Sequence, residues 1–164
     1  MRRALALVPV LAILATGCGD GGSSMAAPAP RTSAPAAATK GKPKPPGGKR
    51  VTLHRRDYGK ILADGRGRAL YLFTRDDGKS RCHGDCAKAW PPFLTKGAPR
   101  AGARVKRRPL GTVNRSDGRR QVTYNGHPLY YYVGDREPGQ VLCQAGLEYG
   151  GYWYVVTRSG DPVM

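Results

Sequence analysis

Three observations predict a mainly β fold: a small antiparallel sandwich or barrel-like domain built from two diverged repeats, with one short helix. Gly67 to Asp76, GRALYLFTRD, is echoed by Gly126 to Asp135, GHPLYYYVGD, in which glycine, leucine, tyrosine and aspartate coincide and Phe73 meets Tyr132. A Cys and then a Trp follow each copy, Cys82 and Trp90 after the first, Cys143 and Trp153 after the second. Between the turns the segments are short and rich in aromatic and β-branched residues, and a single stretch suits a helix.

The elements follow in order. Val51 to Leu53 reads as an edge strand, and Ile61 to Ala63 is a short apolar run closed by Asp64-Gly65 and Gly67. The chain then returns as Ala69 to Phe73. Alternation places Leu70 and Leu72 on one face and Tyr71 and Phe73 on the other, both apolar, as in a strand covered on both sides. Cys82 to Trp90 supplies the helical turn or two, halted by Pro91-Pro92. Gln121 to Tyr124, Asn125-Gly126 and Leu129 to Tyr132 form a hairpin signal, because Asn-Gly accepts the positive φ angles of a tight turn. Tyr152 to Thr157 is the last strand. Trp90, Trp153, Phe73, Phe93 and the tyrosines are the expected core.

The first fifty residues are of another kind. Arg2 and Arg3 precede an apolar run, Ala4 to Thr16, broken only by Pro9, and small residues Ala15-Thr16-Gly17 lead to Cys18. The run is shorter than the roughly 20 residues of a spanning helix and lacks a charged stop-transfer flank, so residues 1–18 read as a secretory signal. Ala15 to Cys18 resembles the lipobox of bacterial lipoproteins, which implies lipidation of Cys18 and attachment to a membrane by acyl chains on the extracytoplasmic side. Residues 19–50 are mostly Ala, Pro, Gly, Ser, Thr and Lys, without an aromatic residue or a Leu, Ile or Val, a tether reaching roughly 30 Å as a coil and roughly 100 Å at the polyproline limit. Residues 51–164 form the β domain, with repeat 1 at about 58–95 and repeat 2 at about 110–157.

The net charge is +17, and residues 51–164 hold 20 Lys and Arg against 10 Asp and Glu, a domain near +10. Beside an anionic envelope the partner class is anionic lipid or an acidic envelope polymer. Nucleic acid is set aside, because the signal exports the chain and no helix-turn-helix, zinc-finger or RNP pattern occurs. The densest run, Arg104, Lys106, Arg107 and Arg108, reads as a solvated loop beside Pro109.

Tyr71-Leu72-Phe73-Thr74-Arg75-Asp76 and Tyr130-Tyr131-Tyr132-Val133-Gly134-Asp135 both fit Y-x-[FWY]-x-x-D. Cys82-His-Gly-Asp-Cys86-Ala and Trp90-Pro91-Pro92 follow the first, and Gln121-Val-Thr-Tyr-Asn-Gly126 precedes the second. From about residue 58 to the C-terminus the chain resembles the bacterial secreted-repeat lipoproteins named for that motif, a family of unknown function. The resemblance implies the compartment and the two-repeat build, and no activity. Cys143 departs from the commonest family pattern, which has only the pair equivalent to Cys82 and Cys86.

Three constellations bear on chemistry. Asp76 and Asp135 stand where strand gives way to turn, where a carboxylate accepts backbone amides and fixes a corner; the sharper reading pairs them as an acid/base or metal site. With Cys18 lipidated, Cys82, Cys86 and Cys143 remain, an odd number in an oxidising compartment. A Cys82–Cys86 bridge closes a short loop worth roughly 2 kcal/mol, and a link to Cys143 closes a long one worth roughly 4 kcal/mol. Chain entropy favours the long link and the family pattern the short one, and the family pattern is followed here. Alternatively, Cys82, Cys86 and Cys143 with His83 form a soft metal or redox site. His54 and His127 read as ordinary imidazoles, and Asn114-Arg115-Ser116 as a chance sequon. No C-x-x-C-H, G-x-S-x-G, H-E-x-x-H or phosphate-cradling loop occurs, so no cofactor is expected. Three functions remain: a non-enzymatic binding or structural module of the envelope, a thiol-based metal or redox module, and an envelope hydrolase using Asp76 and Asp135. The first is preferred for its tether, basic surface and missing catalytic motifs.

Overall fold

The structure, a computed structural model, describes residues 47–164. The signal segment, Cys18 and residues 19–46 lie outside the described residues. Strands β1 (Arg50–Arg56), β2 (Gly59–Asp64) and β3 (Tyr71–Phe73) precede helix α1 (Asp85–Ala89). Strands β4 (Arg100–Ala101), β5 (Leu110–Asn114), β6 (Arg120–Tyr124), β7 (His127–Pro128), β8 (Gly146–Glu148) and β9 (Gly151–Val155) follow. The domain is mainly β, with three small sheets in the orders β2-β1-β4, β3-β9-β8 and β5-β6-β7. All pairings within the sheets are antiparallel except β1 with β4. Single bridges, Ile61 to Thr157 and Tyr71 to Tyr130, link one sheet to the next, and no closed barrel forms among the described residues.

Two expectations shift. β1 is not an edge strand, because β4 pairs along its free side. The domain also starts before Val51. Lys49 donates its amide to Thr95 Oγ1 at 3.1 Å and accepts the Arg100 amide at 2.8 Å, and Gly48 lies against the Ala98 backbone with no room for a Cβ. Backbone pairing, invisible in a composition of Gly and Lys, brings these residues into the fold.

The repeated glycine of both motif copies has one cause. Gly67 closes the turn after β2 with φ 88°, and Gly126 closes the β6–β7 hairpin with φ 81°, beside Asn125 at 49°. The hairpin is shorter than the sequence suggests. After Pro128 the chain leaves it, and Tyr130 exchanges both backbone hydrogen bonds with Tyr71 at 2.9 Å. α1 is likewise shorter than Cys82 to Trp90 and ends before Pro91-Pro92.

β3 and β9 divide two cores. Leu70 and Leu72 join Val51, Leu62, Phe93, Val122 and Leu129 on one side, while Tyr71 and Phe73 join Ile61, Trp90, Tyr130 and Trp153 on the other. The alternation read from the sequence thus separates a core rich in aliphatic side chains, with Phe93 and Tyr124, from one that holds both tryptophans. Not every tyrosine is buried: Tyr58, Tyr149 and Tyr152 are exposed.

Candidate functional site

The two motif copies meet at the Tyr71–Tyr130 bridge, and each hands groups to the other. Phe73 of the first copy stacks on Trp153 at 4.1 Å, Trp153 stacks on Trp90 at 4.0 Å, and Trp90 meets Tyr132 of the second copy at 4.7 Å. Tyr71 and Tyr130 stand edge-on to Trp90 and Trp153, both at 5.2 Å. Glu148 holds both indoles, its Oε2 accepting Trp90 Nε1 at 2.7 Å and its carbonyl accepting Trp153 Nε1 at 3.3 Å. The [FWY] position of each copy therefore packs on the tryptophan belonging to the other repeat, stacked for Phe73 and tilted for Tyr132.

The aspartates follow the same exchange, unequally. Tyr71 donates its hydroxyl to Asp135 Oδ2 at 2.7 Å, and the Leu142 amide donates to Asp135 Oδ1 at 2.9 Å. Asp135, 1% exposed, has both oxygens engaged. Asp76 accepts the Arg81 amide at 2.8 Å through Oδ1, while its buried Oδ2 has no partner. The matching hydroxyl, Tyr130, bonds Ser80 Oγ at 2.8 Å instead. Burial pushes Asp135 above the ordinary carboxylate range, opposed by the Tyr71 bond and the Leu142 amide. Burial pushes Asp76 up to about 6, opposed first by the Arg81 amide. Burial and then the bond to Asp135 push Tyr71 up in turn, so it stays a donor. The motif carboxylates serve as acceptors for turn amides and, in Asp135, for the tyrosine of the other copy.

Cys82 and Cys86 form a disulfide, leaving Cys143 as the free thiol among the described residues. With two of the three thiols bonded to each other, only one is left to serve as a ligand in this arrangement. His83 offers no ligand in its place: its Nε2 lies 2.8 Å from the Ser80 carbonyl, to which it donates, and Nδ1 faces the Arg115 guanidinium at 3.4 Å. Among the described residues no three His, Cys, Asp or Glu side chains are grouped to hold a metal ion. Cys143 packs beside the aromatic core, where burial first, then Glu148 and Asp135, push its thiol up, opposite to what a reactive thiolate requires.

Sequence reasoning missed Arg115, which lies inside the sequon yet is almost wholly buried. Its guanidinium donates to Gln121 Oε1 and the Cys82 carbonyl, both at 2.8 Å, and to Ser80 Oγ, tying the disulfide loop of the first repeat to β6 of the second. No local pattern distinguishes it from the other arginines. The cations of the surface collect in three clefts. The largest, of about 780 Å³, is lined by Lys49, Lys96, Arg119 and Arg120. One of about 250 Å³ is lined by Arg55, Lys60, Arg104 and Arg158. The third, of about 470 Å³, is lined by five cations beside Tyr131. The run Arg104, Lys106, Arg107 and Arg108 is exposed.

A family model described as a secreted repeat of unknown function matches the chain twice, over residues 52–93 and 111–157, together more than half its length. The first match begins in β1, so each repeat opens with a hairpin, β1–β2 or β5–β6, before its motif strand. No curated protein and no solved structure matches the chain. Among the described residues no helix is long and apolar enough to cross a membrane.

Proposed function

From the premise that the chain belongs to the family of secreted repeats of unknown function, and so is exported, we propose that it is a membrane-anchored lipoprotein of the cell envelope. It is held by a lipid on Cys18 and acts as a non-enzymatic module that binds anionic lipid or acidic polymer. One observation carries this reading: the motif groups are turned inward and spent on each other, whereas the cations are left outside. Ion pairs among the described residues engage only Arg81, Lys88, Arg115 and Arg119. The other basic side chains form no ion pair among the described residues, and a domain near +10 attracts polyanions over about one Debye length, roughly 8 Å at physiological salt.

Cosedimentation with vesicles tests the binding. Anionic vesicles or acidic polymer should retain the domain with an affinity that falls steeply with salt, and neutral vesicles should not compete. Binding indifferent to salt and lipid charge would contradict it. Mass spectrometry of the membrane fraction tests the anchor: the mature chain should begin at an acylated Cys18, and an unmodified soluble product would sink that part of the reading.

A further inference from the structure

The cleft of about 470 Å³ gathers five cations, one more than either of the other two basic clefts. Arg50 and Arg100 lie side by side as register partners of the parallel strands β1 and β4. Lys49 precedes Arg50, and Arg66 and Arg68 come from the turn after β2. None of these five cations forms an ion pair among the described residues. The one carboxylate lining the cleft, Asp64, is already a triple acceptor, taking the Arg66 and Arg68 amides at 2.8 and 3.0 Å and the Tyr131 hydroxyl at 2.9 Å. It shapes the turn that displays the two arginines and leaves four charges in excess. Arg68 is fixed where it stands, its guanidinium 4.4 Å above the Tyr131 ring and donating to the Tyr132 carbonyl at 3.4 Å. Like charges held together without an internal counterion cost stability, which an external anion would restore.

The geometry points to a phosphate group as the ligand of this cleft, supplied by the head groups of anionic phospholipid. Guanidinium forks match phosphate oxygens in pairs, and the cleft has room for a phosphate ester rather than a bare ion alone. The lipid source follows from where the cleft lies on the chain. Gly48, Lys49 and Arg50 line it, and they are the residues through which the domain continues into residues 19–46 and so to Cys18. This part rests on the anchoring proposed above: a chain fixed in the bilayer presents its head groups to the root of the domain at high effective concentration. The domain then lies against the membrane through this cleft, with its aromatic clasp unchanged.

The test is hydrogen exchange on the lipidated full-length protein, reconstituted in phosphatidylcholine vesicles with or without phosphatidylglycerol. The amides of Arg66, Arg68 and Arg100 should exchange about tenfold more slowly in the anionic vesicles once the head group stands about ten times above its dissociation constant. The double variant Arg66→Gln/Arg100→Gln should lose that slowing. Arg55→Gln/Lys60→Gln, which removes the same charge from the cleft of about 250 Å³, should keep it. Equal loss in both variants, or slowing at other surfaces only, would overturn the cleft while leaving a basic binding surface in place. No difference anywhere between the two vesicle types would instead remove the basic-surface reading itself. Equal slowing by millimolar inorganic phosphate on neutral vesicles would overturn the lipid assignment, and slowing by polyphosphate but not by phosphatidylglycerol would assign the cleft to a polymer.

Discussion

Asp135 and Asp76 occupy the same place in the two motif copies, but only Asp135 is closed. It holds the tyrosine of the other repeat and a turn amide, while Asp76 holds an amide, its second oxygen is buried without a hydrogen bond, and the nearby Tyr130 hydroxyl bonds Ser80. The aromatic half of the motif is exchanged on both sides, with Phe73 on Trp153 and Tyr132 on Trp90. The comparison teaches that the aromatic contact across the repeats is the part of the motif both copies share and that hydrogen bonding is where they have diverged. Arg115 belongs to that divergence. Its bond to Ser80 places a hydroxyl where Tyr130 finds a partner other than Asp76.

The largest effect should come from breaking what the halves share. Trp153→Ala and Trp90→Ala are each expected to cost about 3–5 kcal/mol in urea unfolding, because each empties a fully buried place in one column. The double variant should lose less than the sum, since the two rings contact each other. Full additivity would mean that the halves are stabilised separately.

The tyrosines sharpen the difference. Tyr71→Phe strips a buried carboxylate of its hydroxyl donor and should cost about 2–3 kcal/mol, whereas Tyr130→Phe breaks a neutral bond whose partner Ser80 still holds Arg115, and should cost about 1 kcal/mol. A reversed order, read from denaturation midpoints at constant slope, would show that Asp76 is the better satisfied carboxylate.

The pH dependence separates the aspartates next. Asp76 has a folded pKa of about 6, raised above the 3.8 of an ordinary carboxylate, so between those values the folded state binds more protons than the unfolded one. Its contribution to stability is therefore present below about pH 4 and is lost as pH rises through 6. After allowance for partial exposure the change is about 1–2 kcal/mol. Asp76→Asn should flatten that part of the melting profile, and an unchanged profile would contradict the assignment. Smallest of all, Cys143→Ser should change stability by less than about 1 kcal/mol, and native thiol titration should find one thiol in the domain before the substitution and none after it.

The β class, the two repeats, the motif glycines and the two-faced strand at Leu70 to Phe73 were legible because they depend on local turn chemistry and on the period of apolar residues. The exchange of partners was not. Whether Tyr71 reaches Asp76 or Asp135 depends on which strands become neighbours, 64 residues apart in the chain, and no periodicity encodes that. The short disulfide followed from the family pattern, against the larger entropy of the long link. Residues 48–50 and the basic cleft escaped for a related reason: Arg50 and Arg100 are ordinary surface arginines until the parallel pairing of β1 and β4 sets them together.

The most direct test of the exchanged clasp is a pair of double-mutant cycles. Tyr71→Phe with Asp135→Ala is measured beside Tyr130→Phe with Asp76→Ala, by equilibrium unfolding at pH 7. A coupling of about 1.5–3 kcal/mol is expected across the first pair, where a hydroxyl meets a buried carboxylate, and less than about 1 kcal/mol across the second, where Tyr130 stands near Asp76 but its hydrogen bond goes to Ser80. Equal couplings, or none between Tyr71 and Asp135, would contradict the account that the two motif copies hold each other through this bond.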